Sequence, residues 1–323
     1  MSKLFVFLKN WLLPVAMISG AGLYLMFSRV NFMAPLRPFA LELVNDILPV
    51  TIFAMLFFTF CKIGIKEMKP RRWHIILLLT QTILCIVCML TIKYCFRSGD
   101  FNELLAQGVL ACLLSPTATA AAVITGKLGG SPASLTSYTL ESNVLSAILI
   151  TILCPMIHPI QGLNLFAAFI TVLYKISILL ILPFVLALMI KYSLPWLHAR
   201  IAALKDISFY LWGFTLMLVT GLTMRVVDIN ASDYRLETAL VVSAAIVCTV
   251  KFTFGKFIGH LYSREDMISA GQAFGQKNTS FTIWMALTFL NPISAVAPGS
   301  YVIWQNIFNS FQLWKKEKRK MSE

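Results

Sequence analysis

Ten apolar segments of membrane-spanning length follow one another along this chain of 323 residues, and they restrict its fold more than any other feature. A helix needs about 20 apolar residues to cross a bilayer, and each segment comes close to that length. The sequence therefore predicts an all-α membrane protein with ten transmembrane helices. Their predicted bounds are 11–28, 40–61, 73–95, 103–126, 132–157, 163–190, 207–224, 236–259, 266–290 and 293–314.

The composition supports a single membrane domain. Hydrophobic residues make up 58% of the chain and charged residues 13%, and the mean hydropathy is +0.79. No hydrophilic segment is long enough to fold as a separate soluble domain. The net charge of +13 therefore lies on loops rather than on a module that could present it to nucleic acid, so the bilayer is the predicted partner. The seven cysteines show no metal-ligand spacing, and no metal site is predicted.

The positive residues predict how the chain is oriented. Lysines and arginines concentrate in alternate loops and in the tails, as at 62–72 and 315–320. Because such loops resist translocation, both termini are predicted to be cytoplasmic, with a bacterial inner membrane as the location. Five spans in residues 1–160 and five in 161–323 would enter the membrane in opposite senses, so the two halves are predicted to be inverted repeats.

Two of the predicted spans are interrupted by polar and helix-breaking residues. Residues 271–281, GQAFGQKNTSF, place glycines, amides and Lys277 inside the ninth span, and residues 114–126, LSPTATAAAVITG, place Pro116 inside the fourth. Pro116 and Gly271 are the predicted break points. Broken helices at membrane depth usually line a cavity, and a pair of them in matching positions of two halves is typical of a transporter site.

The chemistry of these interruptions favours an anion. Hydroxyls at Ser115, Thr117 and Thr119 can satisfy the carbonyls that Pro116 leaves without hydrogen bonds. The half-helices that begin after Pro116 and near Thr279 would direct two partial positive charges at the membrane midplane. Such a site favours a bound anion or requires a carboxylate close by.

A lysine buried in a membrane needs a partner, and the fifth span offers one. Ser134, Ser137, Tyr138 and Glu141 recur at helical spacing on one face, which is predicted to look into the protein. Glu141 is therefore the predicted partner of Lys277. The pair would act either as a static packing contact or as a gate that binds a proton.

The last two spans resemble a known transporter family. The chain resembles the bile acid:sodium symporter family at residues 275–278 of the ninth span and in the tenth span, where a proline is followed by an aromatic residue and amides. In the fourth span, SPTATAAAVITG resembles the first crossover of that family. The matching tenth-span residues are Pro298, Tyr301, Gln305, Asn306 and Ser310. The resemblance implies ten helices in a core and a panel domain, crossing broken helices in spans four and nine, and alternating-access symport of an organic anion with sodium.

The departures from that family concern the sodium ligands. When the motifs are aligned without a gap, the family's sodium-binding glutamate corresponds to Ala273 and its sodium-binding glutamine to Lys277. Its Ser-Asn pair, which also binds sodium, corresponds to Ala121 and Ala122. Sodium needs several oxygen ligands, whereas the ammonium of Lys277 could hold the local charge without an ion. No cofactor is therefore expected, and the hypothesis is that a tethered lysine replaces bound sodium.

Three functions follow from these residues. The first is sodium-independent or proton-linked transport of a small organic anion. The second is a monovalent cation/proton antiporter that uses Glu141, since SPT, ESN and a lysine in the ninth span also resemble the related antiporter fold. The third is a membrane sensor without transport. Enzyme activity is not predicted, because the common catalytic motifs are missing. The candidate substrate- and ion-binding residues are Lys277, Glu141, Asn278, Gln276, Gly275, Thr117, Thr119, Ser115, Ser137 and Asn143.

Two further polar residues are expected to have minor roles. His74 lies near the end of the third span and is predicted to be interfacial. Lys251, inside the eighth span, is expected to reach the membrane surface or to pair across helices.

Overall fold

A computed structural model describes residues 11–62, 68–118, 120–157, 165–204, 206–229 and 234–322. Within these ranges the chain forms thirteen α-helices, two short 3₁₀ helices and no strand. The α-helices are α1 (Leu12–Arg29), α2 (Arg37–Phe60), α3 (Arg72–Cys95), α4 (Phe101–Leu114), α5 (Ala121–Leu128), α6 (Pro132–Ile157), α7 (Leu165–Ser193), α8 (Pro195–Ala203), α9 (Ile207–Ile229), α10 (Tyr234–His260), α11 (Arg264–Gly275), α12 (Thr279–Phe289) and α13 (Val296–Ser322). The 3₁₀ helices, Asn31–Leu36 and Pro292–Ala295, lead into α2 and α13.

The helices identify an all-α integral membrane protein. Six helical segments of the described chain are long and apolar enough to cross a bilayer: Leu12–Arg29, Asn31–Phe60, Arg72–Cys95, Pro132–Ile157, Ile207–Arg225 and Tyr234–His260. Helices α4 and α12 are apolar but shorter. Each of them is one part of a predicted span that the structure divides in two.

Both interrupted spans are broken, although the second break is not where it was predicted. Residues 115–120 separate α4 from α5, and residues 276–278 separate α11 from α12. Gly271 lies inside α11, so the predicted break at this residue is wrong. A Cβ atom at position 271 would approach the Lys256 side chain of α10 to 2.5 Å. Gly271 therefore serves close helix packing, and the chain leaves the helix only after Gly275.

Helices α10 and α11 pack unusually closely. They are joined by a short turn at 261–263, and small residues line the contact. A Cβ at Gly255 would lie 2.4 Å from the carbonyl oxygen of Ala270, and one at Gly259 would lie 2.2 Å from that of Asp266. Small residues at such contacts let helix backbones approach each other in a membrane, where packing drives association. This contact positions α11 and the break that follows it.

The chain divides into two compact units. The first comprises Met1–Ile63, Ser177–Arg225 and Asn306–Glu323, and the second comprises Gly64–Ile176 and Val226–Gln305. In the first unit, α1 packs closely on α9, where a Cβ at Gly20 would meet the carbonyl oxygen of Met217. The predicted boundary between the two halves, at 160/161, lies outside the described residues. Each unit takes segments from both sides of that boundary.

Candidate functional site

The two helix breaks of the second unit cross and pair with each other. Thr117 and Lys277 form an antiparallel β-bridge, which is isolated within the described part of the chain. The Ala118 amide donates to the Gln276 carbonyl at 3.0 Å, and the Asn278 amide donates to the Pro116 carbonyl at 2.9 Å. Each break thus supplies hydrogen bonds that the other has lost from its helix. Non-helical backbone at membrane depth requires this kind of internal compensation.

Thr117 also anchors the first break to two neighbouring helices. Its hydroxyl donates to the Ala273 carbonyl of α11 at 2.7 Å. Its backbone amide donates to the Ser142 hydroxyl of α6 at 3.2 Å. Pro116, which has no amide proton, lies directly before it and ends the run of helical hydrogen bonds. The hydroxyl of Thr117 was predicted to satisfy a carbonyl that Pro116 leaves without a hydrogen bond, but it donates to a carbonyl of the other broken span instead.

The second break is held by side chains at the start of α13. The Lys277 amide donates to the Gln305 side-chain oxygen at 2.8 Å, and the Gln305 side-chain nitrogen donates back to the Lys277 carbonyl at 3.3 Å. The Tyr301 hydroxyl donates to the Gly275 carbonyl at 2.8 Å. Asn278 caps α12, since its side-chain oxygen accepts from the Phe281 amide at 3.2 Å. Gly275 and Asn278 therefore shape the backbone, and Gly275 has no room for a side chain beside the Phe252 ring.

The Lys277 ammonium is buried and lacks a carboxylate partner within the described chain. Only 1% of Lys277 is exposed. Its Nζ donates to the Gln81 side-chain oxygen at a long 3.4 Å and lies 5.2 Å from the centre of the Phe274 ring. Gln81 in turn donates to the Ser146 hydroxyl at 3.2 Å. The positive charge of Lys277 thus meets one neutral amide and one aromatic face.

The predicted ion pair between Lys277 and Glu141 is not formed. Both Glu141 carboxylate oxygens face His74 Nδ1 instead, at 3.1 and 3.0 Å. His74 Nε2 lies 3.2 Å from the Ser134 hydroxyl. His74 lies in the first turn of α3, near the end of the predicted span, and it is fully buried within the protein. The helical face of α6 that carries Ser134 and Glu141 does look inward, but it meets α3 with a different partner.

A second buried lysine, Lys251, pairs across helices, which is one of the two roles that the sequence predicts for it. Lys251 of α10 is 1% exposed, and its Nζ donates to the Cys112 carbonyl at 2.9 Å and to the Leu113 carbonyl at 3.3 Å. These carbonyls belong to the last turn of α4, which carries partial negative charge. Lys251 Nζ also lies 5.4 Å from the centre of the Phe274 ring. The signal in the sequence is the presence of this lysine in the middle of the apolar run of α10.

The remaining predicted residues divide between the break and the surrounding helices. Ser115 lies in the first break, with its hydroxyl within hydrogen-bonding distance of Thr282. Ser137 and Asn143 bond to carbonyls of their own helix, α6, and make no described polar contact with Lys277. Thr119 lies outside the described residues.

Several buried polar atoms beside the second break have no hydrogen-bond partner in the described part of the chain. Both amide atoms of Gln272 are among them, together with Oε1 of Gln276 and the Tyr138 hydroxyl. Gln272 and Gln276 are one helical turn apart, and Gln276 directly precedes Lys277. Leaving such a group unpaired costs about 1–3 kcal/mol, so these atoms are candidates to contact a ligand or water.

Comparison of the sequence with protein-family models and with curated proteins found no match.

Proposed function

We propose that this protein is a secondary transporter of the bile acid:sodium symporter type, which moves an organic anion by alternating access without a bound sodium ion. The observation that carries the proposal is the buried Lys277 ammonium at the crossing of two broken helices. Ionisable residues inside membrane proteins are costly to bury and mark substrate or ion pathways. An anionic group of the substrate would supply the counter-charge that the described residues around Lys277 do not.

The electrostatics of the crossing support an anion rather than a cation. Helices α5 and α12 both begin next to the bridge, and their N-terminal ends carry partial positive charge. Protonated Lys277 would add a full charge, and Lys251 already satisfies the partly negative end of α4. The unpartnered side-chain amide of Gln272 and the unpartnered Oε1 of Gln276 could contact uncharged polar groups of the same substrate. These features together favour an anion with further polar atoms.

The positions that correspond to sodium ligands in the family support transport without sodium. Ala121, Ala122 and Ala273 are buried in one apolar cluster, packed with Leu135 and Tyr138. Methyl groups cannot replace the oxygen ligands that a hard cation requires. The fourth position is Lys277, whose ammonium would repel a cation.

The arrangement of the chain also supports the proposed ten-helix inverted repeat with core and panel domains. The first compact unit contains predicted spans one, two and seven, and the second contains spans three, four, five, eight and nine. Spans six and ten are each divided between the two units. Three corresponding pairs, spans two and seven, three and eight, and four and nine, thus belong to the same unit, and each half supplies one broken span.

Reconstituted transport tests this function. Proteoliposomes containing the purified protein would be screened for uptake of labelled carboxylates and sulfonates, in choline buffer and in sodium buffer. We expect uptake in both buffers and its loss in Lys277→Met, while Lys277→Arg, which keeps the charge, retains part of it. Uptake that strictly requires sodium would overturn the proposal. Exchange of protons for monovalent cations, with no movement of organic anions, would identify an antiporter instead.

A further inference from the structure

His74 and Glu141 form a polar pair that the anion site does not use. His74 of α3 is fully buried, whereas 28% of the Glu141 side chain is exposed. Nδ1 of His74 lies 3.1 and 3.0 Å from the two carboxylate oxygens, which places it between them. The pair therefore has one end closed within the protein and one end at its surface. His74 lies in the first turn of α3, at the end of a candidate membrane span, where water can reach that surface.

The hydrogen bonds of this pair can be kept when a proton is added. With a neutral imidazole, Nδ1–H donates to Glu141 and the Ser134 hydroxyl donates to Nε2. With an imidazolium, both nitrogens donate, and the Ser134 oxygen becomes the acceptor, since a hydroxyl can do either. The Nε2 to Ser134 distance of 3.2 Å accommodates both arrangements. Neither state leaves a buried donor or acceptor of His74 unpaired.

The groups around His74 are compatible with both the neutral and the protonated imidazole. From α6 the titratable neighbours are Glu141 and Tyr138, whose ring lies 5.4 Å from the imidazole. From α11, Asp266 reaches the adjacent Trp73, and Arg71, which directly precedes α3, binds that carboxylate. The described residues of α4 and α10 make no hydrogen bond, ion pair or ring contact with His74.

The pair is also connected to the helix that leads to Lys277. The Trp73 ring lies 4.2 Å from the His74 ring, and its indole N–H donates to Asp266 at 2.9 Å. Asp266 lies in the first turn of α11, where it also accepts from the Ser263 hydroxyl at 2.8 Å. Helix α11 ends at the break that contains Lys277. A change of charge at His74 therefore acts on residues that hold one end of α11.

We propose that His74, Glu141 and Ser134 form a proton-binding site, separate from Lys277, that couples anion transport to the proton gradient. One proton is taken from bulk water and an N–H bond forms at the imidazole, so the charge of the site rises by one. When the proton returns to water, that bond breaks. The coupling rests on the proposed function, whereas the binding of the proton does not.

Histidine-selective NMR tests proton binding without a substrate. The full-length protein with ¹⁵N-labelled histidine would be titrated in nanodiscs, and the His74 signals would be assigned by their loss in His74→Gln. We expect these signals to shift with pH, and the pH profile to change in Glu141→Gln and in Ser134→Ala. His260→Gln, which alters an exposed histidine, should leave the profile unchanged. His74 signals that stay constant over the range where histidines ordinarily titrate, or a profile that both substitutions leave intact, would overturn the site.

Transport measurements test the coupling. An imposed pH gradient should stimulate uptake by the wild type, and this stimulation should be lost in Glu141→Gln and in Ser134→Ala, while exchange of labelled for unlabelled anion persists in Ser134→Ala. Stimulation that survives in both variants would overturn the coupling. A wild-type protein that moves no anion under any gradient would overturn the proposed function, and the NMR titration would then decide the proton site.

Discussion

The backbone of Thr117 pairs with the backbone of Lys277, and this bridge joins two helix breaks that are far apart in the sequence. Lys277 is the only buried lysine that lies at a helix break in the described chain. The bridge places it beside the N-terminal ends of the half-helices α5 and α12. The Thr117 hydroxyl adds a bond to the Ala273 carbonyl of α11 at 2.7 Å. The position of the Lys277 charge therefore depends on Thr117.

The first prediction concerns this hydroxyl. Thr117→Val keeps the side-chain shape but removes the donor to Ala273, so a buried carbonyl loses its partner. We expect the free energy of unfolding to fall by about 1–3 kcal/mol, which would be seen as a lower melting temperature in detergent. Thr249→Val is the matched control, since the exposed Thr249 hydroxyl bonds only within its own helix. Equal melting temperatures for the two variants would contradict the role given to Thr117.

The second prediction concerns the contact between α10 and α11. Gly259→Ala would place a Cβ 2.2 Å from the Asp266 carbonyl oxygen, so the helix backbones must separate. We expect a lower melting temperature and weaker anion uptake. Gly22→Ala is the control, because no neighbouring atom lies within 4 Å of the position that its Cβ would take, and alanine favours a helix by about 0.5–1 kcal/mol over glycine. A tolerated Gly259→Ala would argue against close packing here.

The sequence was sufficient to predict the breaks because their causes are local. Pro116 removes a backbone donor, and the amides and lysine after Gly275 are costly in an apolar helix. The error at Gly271 arises because the local sequence alone cannot show what a glycine does. A glycine can end a helix or allow another helix to approach it, and only the position of Lys256 on α10 shows which applies. That position is a property of the packed structure.

The partners of the buried charges could not be predicted in the same way. Helical spacing shows that Ser134 and Glu141 share a face of α6, but not which neighbouring helix that face meets. The face meets His74 of α3, which the sequence placed near the membrane surface. Lys251 pairs with backbone carbonyls, and these leave no trace in the side-chain pattern. Both partners are set by the rotation and order of the helices.

The third prediction separates the two buried lysines. Lys251→Met removes two hydrogen bonds to the end of α4, whereas Lys277→Met removes one long bond to Gln81. We expect Lys251→Met to lower the melting temperature, and Lys277→Met to abolish anion uptake with a melting temperature close to that of the wild type. Each of the two buried carbonyls that is left unpaired should lower the free energy of unfolding by about 1–3 kcal/mol. If Lys277→Met lowered the melting temperature and Lys251→Met abolished anion uptake instead, Lys277 would be excluded as the anion-binding residue.

The last prediction tests the proposed orientation. Cys95 ends α3 and is exposed, whereas Cys61, after the end of α2, is buried. If both termini are cytoplasmic, α3 ends on the outer side, so a membrane-impermeant maleimide should label Cys95 in intact cells. Cys95→Ser should remove this labelling, and Cys61→Ser, the control, should leave it unchanged. Labelling of Cys95 only after the cells are opened would reverse the orientation, because a charged reagent reaches only thiols on its own side of the bilayer. The same result would place the lysines of 62–72 outside, against the tendency of positive loops to remain in the cytoplasm.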